Sequence, residues 1–209
     1  MEVQNNKFST INNVKPNFGS VKVDSLNLLK KVSNDTFTPV KATFSELIPD
    51  DAKDVEFVKK LKDAWKGATE YGTEICDGFL QKVKDSRFFV TEIVENGKKK
   101  VTNIMQLNFP KTRYANDVEL KYLQSAPDIA DKLSSAPIKG SGETAMYEIA
   151  KIAKNGNYDG ISLMSTNDRF YEKIGMTDLG SYDDHSLYGL AKNKLDWFMA
   201  RIAKKYDLN

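Results

Sequence analysis

The residues with the clearest chemical use lie in Pro137-Ile138-Lys139-Gly140-Ser141-Gly142, just before a helical run that extends to Lys154. Gly140 and Gly142 lack Cβ atoms, so an anion can come close to their backbone N–H groups. A helix that starts there has first-turn N–H groups without internal partners, and its dipole adds partial positive charge. That combination suits a phosphate or diphosphate, with the Lys139 ammonium beside it. A Walker loop would continue Gly-Lys-Ser/Thr, whereas Gly142 is followed by Glu143-Thr144. A dinucleotide fold would tolerate Ala145 as its third small residue but would need a βα repeat, and none follows. The single cysteine, Cys76, has no histidine near it in sequence and is expected to be a small buried apolar residue. The single histidine, His185, lies in a polar stretch and is expected at the surface. No His/Cys/carboxylate cluster has metal-ligand spacing.

The flanking elements follow from periodicity. Thr36 to Phe44 is β-prone, with Pro39 marking an edge or bulge. Pro49-Asp50-Asp51 opens a helix whose apolar residues Val55, Val58, Leu61 and Trp65 recur at helical spacing. After Gly67, a second helical run carries Ala68, Tyr71, Ile75, Phe79 and Val83 on one face. Residues 87–94 and 100–109 read as strands joined through Asn96-Gly97, the dipeptide of a type I′ hairpin. Asn103 breaks the otherwise apolar face formed by Val101, Met105, Leu107 and Phe109. The run Lys98-Lys99-Lys100 is expected to be a solvated hairpin tip. Strands follow at 117–125, 161–166 and 186–190, with 178–184 as loop. Ala191, Leu195, Phe198, Met199 and Ile202 form one face of a basic C-terminal helix that docks on the body. Parallel pairing of 117–125 with 161–166 across the helix makes a right-handed βαβ crossover.

Within this frame, three motifs resemble the GCN5-related N-acetyltransferase (GNAT) superfamily. In that superfamily a loop of the form Arg/Gln-x-x-Gly-x-Gly/Ala binds the diphosphate of coenzyme A. Lys139-Gly140-Ser141-Gly142 matches its centre, with Pro137 standing where Arg or Gln is usual. Phe170-Tyr171-Glu172-Lys173-Ile174-Gly175-Met176 resembles a later turn commonly reading Phe-Tyr-Glu-Lys-Leu-Gly-Phe. Tyr122-Leu123-Gln124-Ser125-Ala126-Pro127, followed by a long loop, is similar to a subgroup with an extended connection to the diphosphate loop. The motifs cover about sixty residues, and the resemblance with its preceding strands spans roughly 36–190.

The resemblance implies an α/β (α+β) GNAT fold: a mixed, mostly antiparallel sheet flanked by helices on both faces, its parallel strand pair forming a V-shaped cleft for acetyl-CoA. It implies N-acetyl transfer from acetyl-CoA, as co-substrate, to an amine of unknown identity, small molecule or protein. Tyr171 is implied as the general acid for the leaving thiolate, and Glu119, on the strand leading to the cleft, as one candidate base. Cofactor contacts are implied for Tyr122, Leu123 and Gln124, for Ile138, Lys139, Gly140, Ser141, Gly142, Glu143 and Thr144, and for Asn167. A non-catalytic acyl-CoA-binding sensor or scaffold stays open as an alternative, as does a toxin-like acetyltransferase acting on charged tRNA, for which a stronger basic stripe is expected.

Composition bounds the rest. The 209 residues carry 31 Lys and Arg against 29 Asp and Glu, so net charge recruits neither nucleic acid nor a membrane surface. One cysteine allows no internal disulfide, and neither a signal-type run nor a span of about 20 apolar residues is present, so a cytoplasmic protein is expected, as monomer or homodimer. The expected division is a polar, asparagine-rich leader over 1–35, with at most a short strand at 20–23, an acetyltransferase domain over 36–190 and a C-terminal helix over 191–209.

Overall fold

The computed structural model describes residues 20–33, 36–109, 116–130 and 136–208. A nine-stranded sheet runs through it in the order β6-β1-β2-β3-β4-β5-β7-β9-β8. The strands are β1 (Val21–Ser33), β2 (Thr36–Leu47), β3 (Ser86–Glu95), β4 (Lys98–Asn108), β5 (Asp117–Ser125), β6 (Ile138–Lys139), β7 (Gly160–Ser165), β8 (Thr177–Tyr182) and β9 (His185–Ala191). The helices are α1 (Ala52–Trp65), α2 (Gly72–Leu80), α3 (Ser141–Asn155), α4 (Asp168–Ile174) and α5 (Leu195–Tyr206). Every ladder is antiparallel except β5 with β7. The mixed sheet and its single parallel pair are those expected from the sequence.

Strand alternation separates the two faces. On β4, Asn103 reaches Ser141 of α3, whereas Gln106 lies under α2, where a Cβ on Gly78 would come within 3.0 Å of its Oε1. The α2 face carries Phe79 edge-on to Phe88 at 5.5 Å between ring centroids. The α3 face carries Phe44 stacked on Phe89 at 5.2 Å. Helix α5 covers α3 through Leu195, Phe198, Ile202 and Tyr206, all buried.

Local signals explain most of the elements. Asp51 caps α1 by accepting from the N–H groups of Lys53 and Asp54. Asn96 and Gly97 take φ of 51° and 74°, the pair of left-handed residues that a type I′ turn needs. Helix α2 starts at Gly72 rather than at Ala68, and Val83 is exposed beyond its end.

Three expectations change. Residues 21–33, expected to belong to the leader, form β1, a full partner of β2 with Leu26 and Leu28 in the core. Residues 1–19 lie outside the described residues. The expected 178–184 loop is largely β8, an edge strand whose six residues are all exposed and which is held by pairing to β9. The lysine-rich hairpin tip is partly engaged, with Lys99 paired to Glu92 and Lys100 to Asp128 and Glu95.

Candidate functional site

The parallel ladder of β5 and β7 joins Asp117–Leu120 to Gly160–Leu163 and then stops, although β5 continues to Ser125 and β7 to Ser165. At the same level β5 shifts register against β4: Leu120 faces Leu107 and Tyr122 faces Gln106, so Lys121 is an extra, bulged residue. A bulge bends and twists its strand, which turns β5 away from β7. Among the described residues, no strand takes up the edge of β5 beyond Leu120. The result is a V-shaped parting in mid-sheet with backbone polar groups along one side.

Tyrosines surround this parting. Tyr122, after the bulge, stacks on Tyr71 of the α1–α2 loop at 5.2 Å between centroids. Gln124 fixes that loop by accepting from the Tyr71 N–H at 3.0 Å and donates to the Ser125 carbonyl. From the α3 side, α4 presents Phe170 and Tyr171 edge-on at 5.0 Å, with Tyr171 5.8 Å from Tyr188 of β9. Burial, with the Tyr71 phenol as second cause, holds the Tyr171 phenol well above the ordinary tyrosine range. Its proton is therefore in place at neutral pH, and it is near enough to Tyr71 for the two to influence each other.

Helix α4 owes its placement to its ends. It is seven residues long, and Gly175 terminates it at φ 85°, where the Cβ of another residue would come within 3.1 Å of Trp197. Ile174 is buried, so the turn of Phe170 and Tyr171 faces the parting. Asn167, just before α4, is exposed, and its N–H donates to Ser165 Oγ at 2.9 Å.

The glycine loop sits at the start of α3. Gly140 is the residue before the helix, at φ 91°, and contributes no capping side chain. A Cβ at Gly140 would lie 2.4 Å from the Tyr206 ring, and one at Gly142 would lie 3.1 Å from the Phe170 ring. Packing against two aromatic rings is thus a structural reason for both glycines, beside the approach of an anion to their N–H groups. Ile138 and Lys139 pair with Lys30 and Leu29 of β1, and the Pro137 carbonyl accepts from the Lys31 N–H at 2.8 Å. Lys139 places its ammonium 4.0 Å from the centroid of Phe37. Ser141 and Thr144 are buried, Thr144 Oγ1 donating to the Gly140 carbonyl. The Glu143 carboxylate accepts from Lys205 Nζ and from the Tyr206 hydroxyl.

Glu119 lies across the sheet from the glycine loop, on the face that Tyr122 shares. It accepts from Asn108 Nδ2 at 2.9 Å, within the closed part of the ladder and on the face that carries α1 and α2. Tyr171 approaches from the α3 face, and no contact among the described residues joins the two. Leu123 is half-buried opposite Met105. Cys76 is fully buried, and burial pushes its thiol up to about 12, so it is no nucleophile at neutral pH. His185 is exposed. Among the described residues, no group of three or more His, Cys, Asp or Glu could hold a metal ion, and no helix is long and apolar enough to cross a membrane.

No protein-family model matches the sequence, and no curated protein does. Solved structures match its architecture. FdhC in its apo form, a nucleotide-linked sugar GNAT, superposes with a TM-score of 0.53 at 11% identity, over 91% of this chain and 98% of its own. The ribosomal-protein-S5-alanine acetyltransferase of Vibrio fischeri gives 0.51 at 12% identity, over 74% and 94%. GCN5 of Tetrahymena gives 0.50 at 16% identity, over 71% and 94%.

This chain has the GNAT fold. The parted parallel strands, the helix that starts at a glycine loop and the tyrosine of α4 occupy one side of that fold. The sequence motifs named Tyr122, Tyr171 and the 138–144 loop. They did not name Tyr71, Phe170 or Tyr188 as site residues, nor Tyr206 at the glycine loop. Tyr71 precedes Gly72 at a helix start, which gave a sign of position but none of its partner.

Proposed function

We propose that the protein is an acetyl-CoA-dependent N-acetyltransferase whose acceptor is an amine. The carrying observation is the protonated, half-buried phenol of Tyr171, packed between Phe170 and Tyr188 at the parting of β5 and β7. The chain's own groups fit the co-substrate. The N–H groups in the first turn of α3 are suited to the diphosphate. The freed edge of β5 after Lys121 offers backbone donors and acceptors to the amide groups of the pantetheine arm. Bound there, acetyl-CoA supplies an activated thioester.

The acceptor nitrogen attacks the thioester carbonyl, the C–N bond forms, the C–S bond breaks, and the acceptor loses one proton. Tyr171 donates its O–H toward the leaving sulfur. Burial disfavours the charged form of this phenol and of a thiolate placed beside it alike, so the leaving sulfur gains from a proton donor there. Tyr71 and Tyr122 wall the acceptor side and limit water. Glu119 lies on the face of the sheet that Tyr122 shares and accepts from Asn108, and it takes up the acceptor's proton directly or through water.

A second reading, an acyl-CoA sensor without catalysis, is favoured by Pro137, which removes the Arg or Gln side chain that the resemblance expects. One experiment separates the two. The purified protein is given acetyl-CoA with a panel of polyamines, nucleotide-linked amino sugars and peptides with free N-termini, including alanine. Amine-dependent release of CoA thiol is the expected result. CoA binding without thiol release for any amine would support the sensor instead.

A further inference from the structure

The C-terminal end of α5 touches the glycine loop at three points. Lys205 Nζ lies 2.8 and 2.7 Å from the two carboxylate oxygens of Glu143. The Tyr206 hydroxyl donates to Glu143 Oε2 at 2.9 Å, and its ring fills the space beside Gly140. Beyond them the Asp207 carbonyl accepts from Asn27 Nδ2 of β1 at 2.6 Å, which fixes the end of the helix. Tyr206 is only 4% exposed, and the Glu143 side chain only 13%, so this is a built contact.

Its position in α3 gives the contact meaning. Glu143 is the third residue of the helix, and Gly140, before it, contributes no capping side chain. A glutamate at the third position is the residue that, in a capping box, reaches back to the backbone N–H of the residue before the helix, here Gly140. Here it points away, toward α5. The donors at this helix start are thereby left to an outside partner, although a carboxylate able to reach back to the Gly140 N–H is attached to the same turn. A free carboxylate there would also repel an incoming phosphate, at a point where the helix dipole already favours negative charge.

We propose that Lys205 and Tyr206 hold Glu143 away from the first turn of α3 and neutralise it, so that they act as positioning residues for a diphosphate bound by that turn. The inference rests on the cofactor reading given above and adds a residue pair that none of the glycine-loop motifs contains. Lys205 does not touch the ligand. Its effect passes through Glu143, and this distinguishes it from a surface lysine that attracts phosphate directly.

That distinction sets the test. CoA affinity is measured by calorimetry at low salt for the wild type, Lys205→Met, Glu143→Gln and the double variant, with thermal melting alongside. Lys205→Met is expected to weaken CoA binding by on the order of tenfold, because it frees a carboxylate beside the phosphate site. Glu143→Gln keeps the backbone N–H that is implied as the cofactor contact and removes only the side-chain charge, so its affinity reads the carboxylate alone and is expected not to fall. The double variant returns to within about twofold of wild type, which is the rescue expected when one residue acts only through the other. In turnover the loss in Lys205→Met falls on the KM for acetyl-CoA, with kcat kept at saturation. Tyr206→Phe removes one of the two donors without emptying the space beside Gly140. It gives a smaller loss, also rescued by Glu143→Gln, and so provides a second arm should Lys205→Met fold poorly. Equal CoA affinity in wild type, Lys205→Met and Tyr206→Phe overturns the proposal. So does a loss in Lys205→Met that the double variant keeps in full, because Lys205 would then meet the phosphate itself. A wild type that does not bind CoA overturns the cofactor reading, and this inference with it.

Discussion

The side-chain amide of Asn103 donates to both the backbone carbonyl and the hydroxyl of Ser141, at 3.1 and 2.7 Å, so the middle of the sheet grips the first turn of α3. Both residues are buried, Asn103 completely and Ser141 to 2% exposure. The polar residue that interrupts the apolar face of β4 is therefore the anchor of the candidate diphosphate site.

Asn103→Ala should remove that anchor and leave the Ser141 carbonyl and hydroxyl buried without this donor. The expected cost is about 1–3 kcal/mol of folding stability, the usual range for stranding a buried polar group. Chemical denaturation reads it directly. CoA affinity should fall as well, because the N–H groups of the first turn lose their fixed position. A variant of wild-type stability would mean that water replaces the amide without loss.

Asn103 also marks what a sequence can disclose and where it stops. Its break in the β4 alternation was visible, but its partner lies 38 residues away and no local pattern names it. The hairpin at Asn96-Gly97 and the parallel pair were legible because turn chemistry and apolar runs are local. Strand β1 was not. A register shift between Lys22 and Asp24 breaks its period, and buried Asn27 stands between Leu26 and Leu28. Strand β8 was not legible either, since Thr177–Tyr182 buries nothing and exists through its hydrogen bonds to β9. At the site, motif spacing located the glycine loop and Tyr171. The stacking of Tyr71 on Tyr122 depends on where the α1–α2 loop comes to rest, which is a tertiary outcome.

The two loop glycines should respond differently to alanine. Gly140 combines φ 91° with a Tyr206 ring that a Cβ would approach to 2.4 Å. Gly140→Ala adds left-handed strain to a clash with a buried aromatic and should cost about 2 kcal/mol or more. Gly142 lies within the helix, and its new Cβ meets only the edge of the half-buried Phe170 at 3.1 Å. Gly142→Ala gains helix propensity, which offsets the contact, so its stability should stay within about 1 kcal/mol of wild type. Thermal melts of the two variants would contradict this if the order were reversed. A larger side chain at Gly142 acts through Phe170 and α4, so a loss of activity in Gly142→Val reports on Tyr171 as much as on the phosphate.

Glu148 gives the protein a predictable pH dependence. It lies on α3 at 1% exposure, beside Lys151 of the same helix and Asp24 of β1, which pair with each other. Burial pushes its carboxyl up to about 8, with Lys151 opposing and Asp24 adding to the rise. The folded protein therefore holds a proton that the unfolded chain releases near the ordinary glutamate value. Stability from this group is complete below about pH 4.5 and is lost as pH rises through about 8. Glu148→Gln keeps the shape without the ionisation. Its stability relative to wild type should grow from pH 5 to pH 9, by on the order of a few kcal/mol. Parallel denaturation curves at both ends of that range would mean that Lys151 compensates the charge fully.

Tyr171 decides whether the parting of β5 and β7 is a catalytic site. Its ring is fixed between Phe170 and Tyr188, and its raised pKa keeps the phenol protonated throughout the neutral range. Tyr171→Phe removes one oxygen and leaves both ring contacts, so folding and CoA affinity should stay at wild-type levels. If the hydroxyl serves the leaving thiolate, turnover should fall by roughly 10²–10⁴, the range for one positioned acid. A fall in kcat with CoA affinity held constant marks an interaction made mainly in the transition state. The pH profile adds a second reading. Because the Tyr171 phenol is held well above the ordinary tyrosine range, no limb in the neutral range should report its proton, and any limb there, from the acceptor amine or its base, should persist in the phenylalanine variant. Wild-type turnover in Tyr171→Phe would remove the phenol from the chemistry and leave Tyr71, which shares its surroundings, as the next hydroxyl to replace.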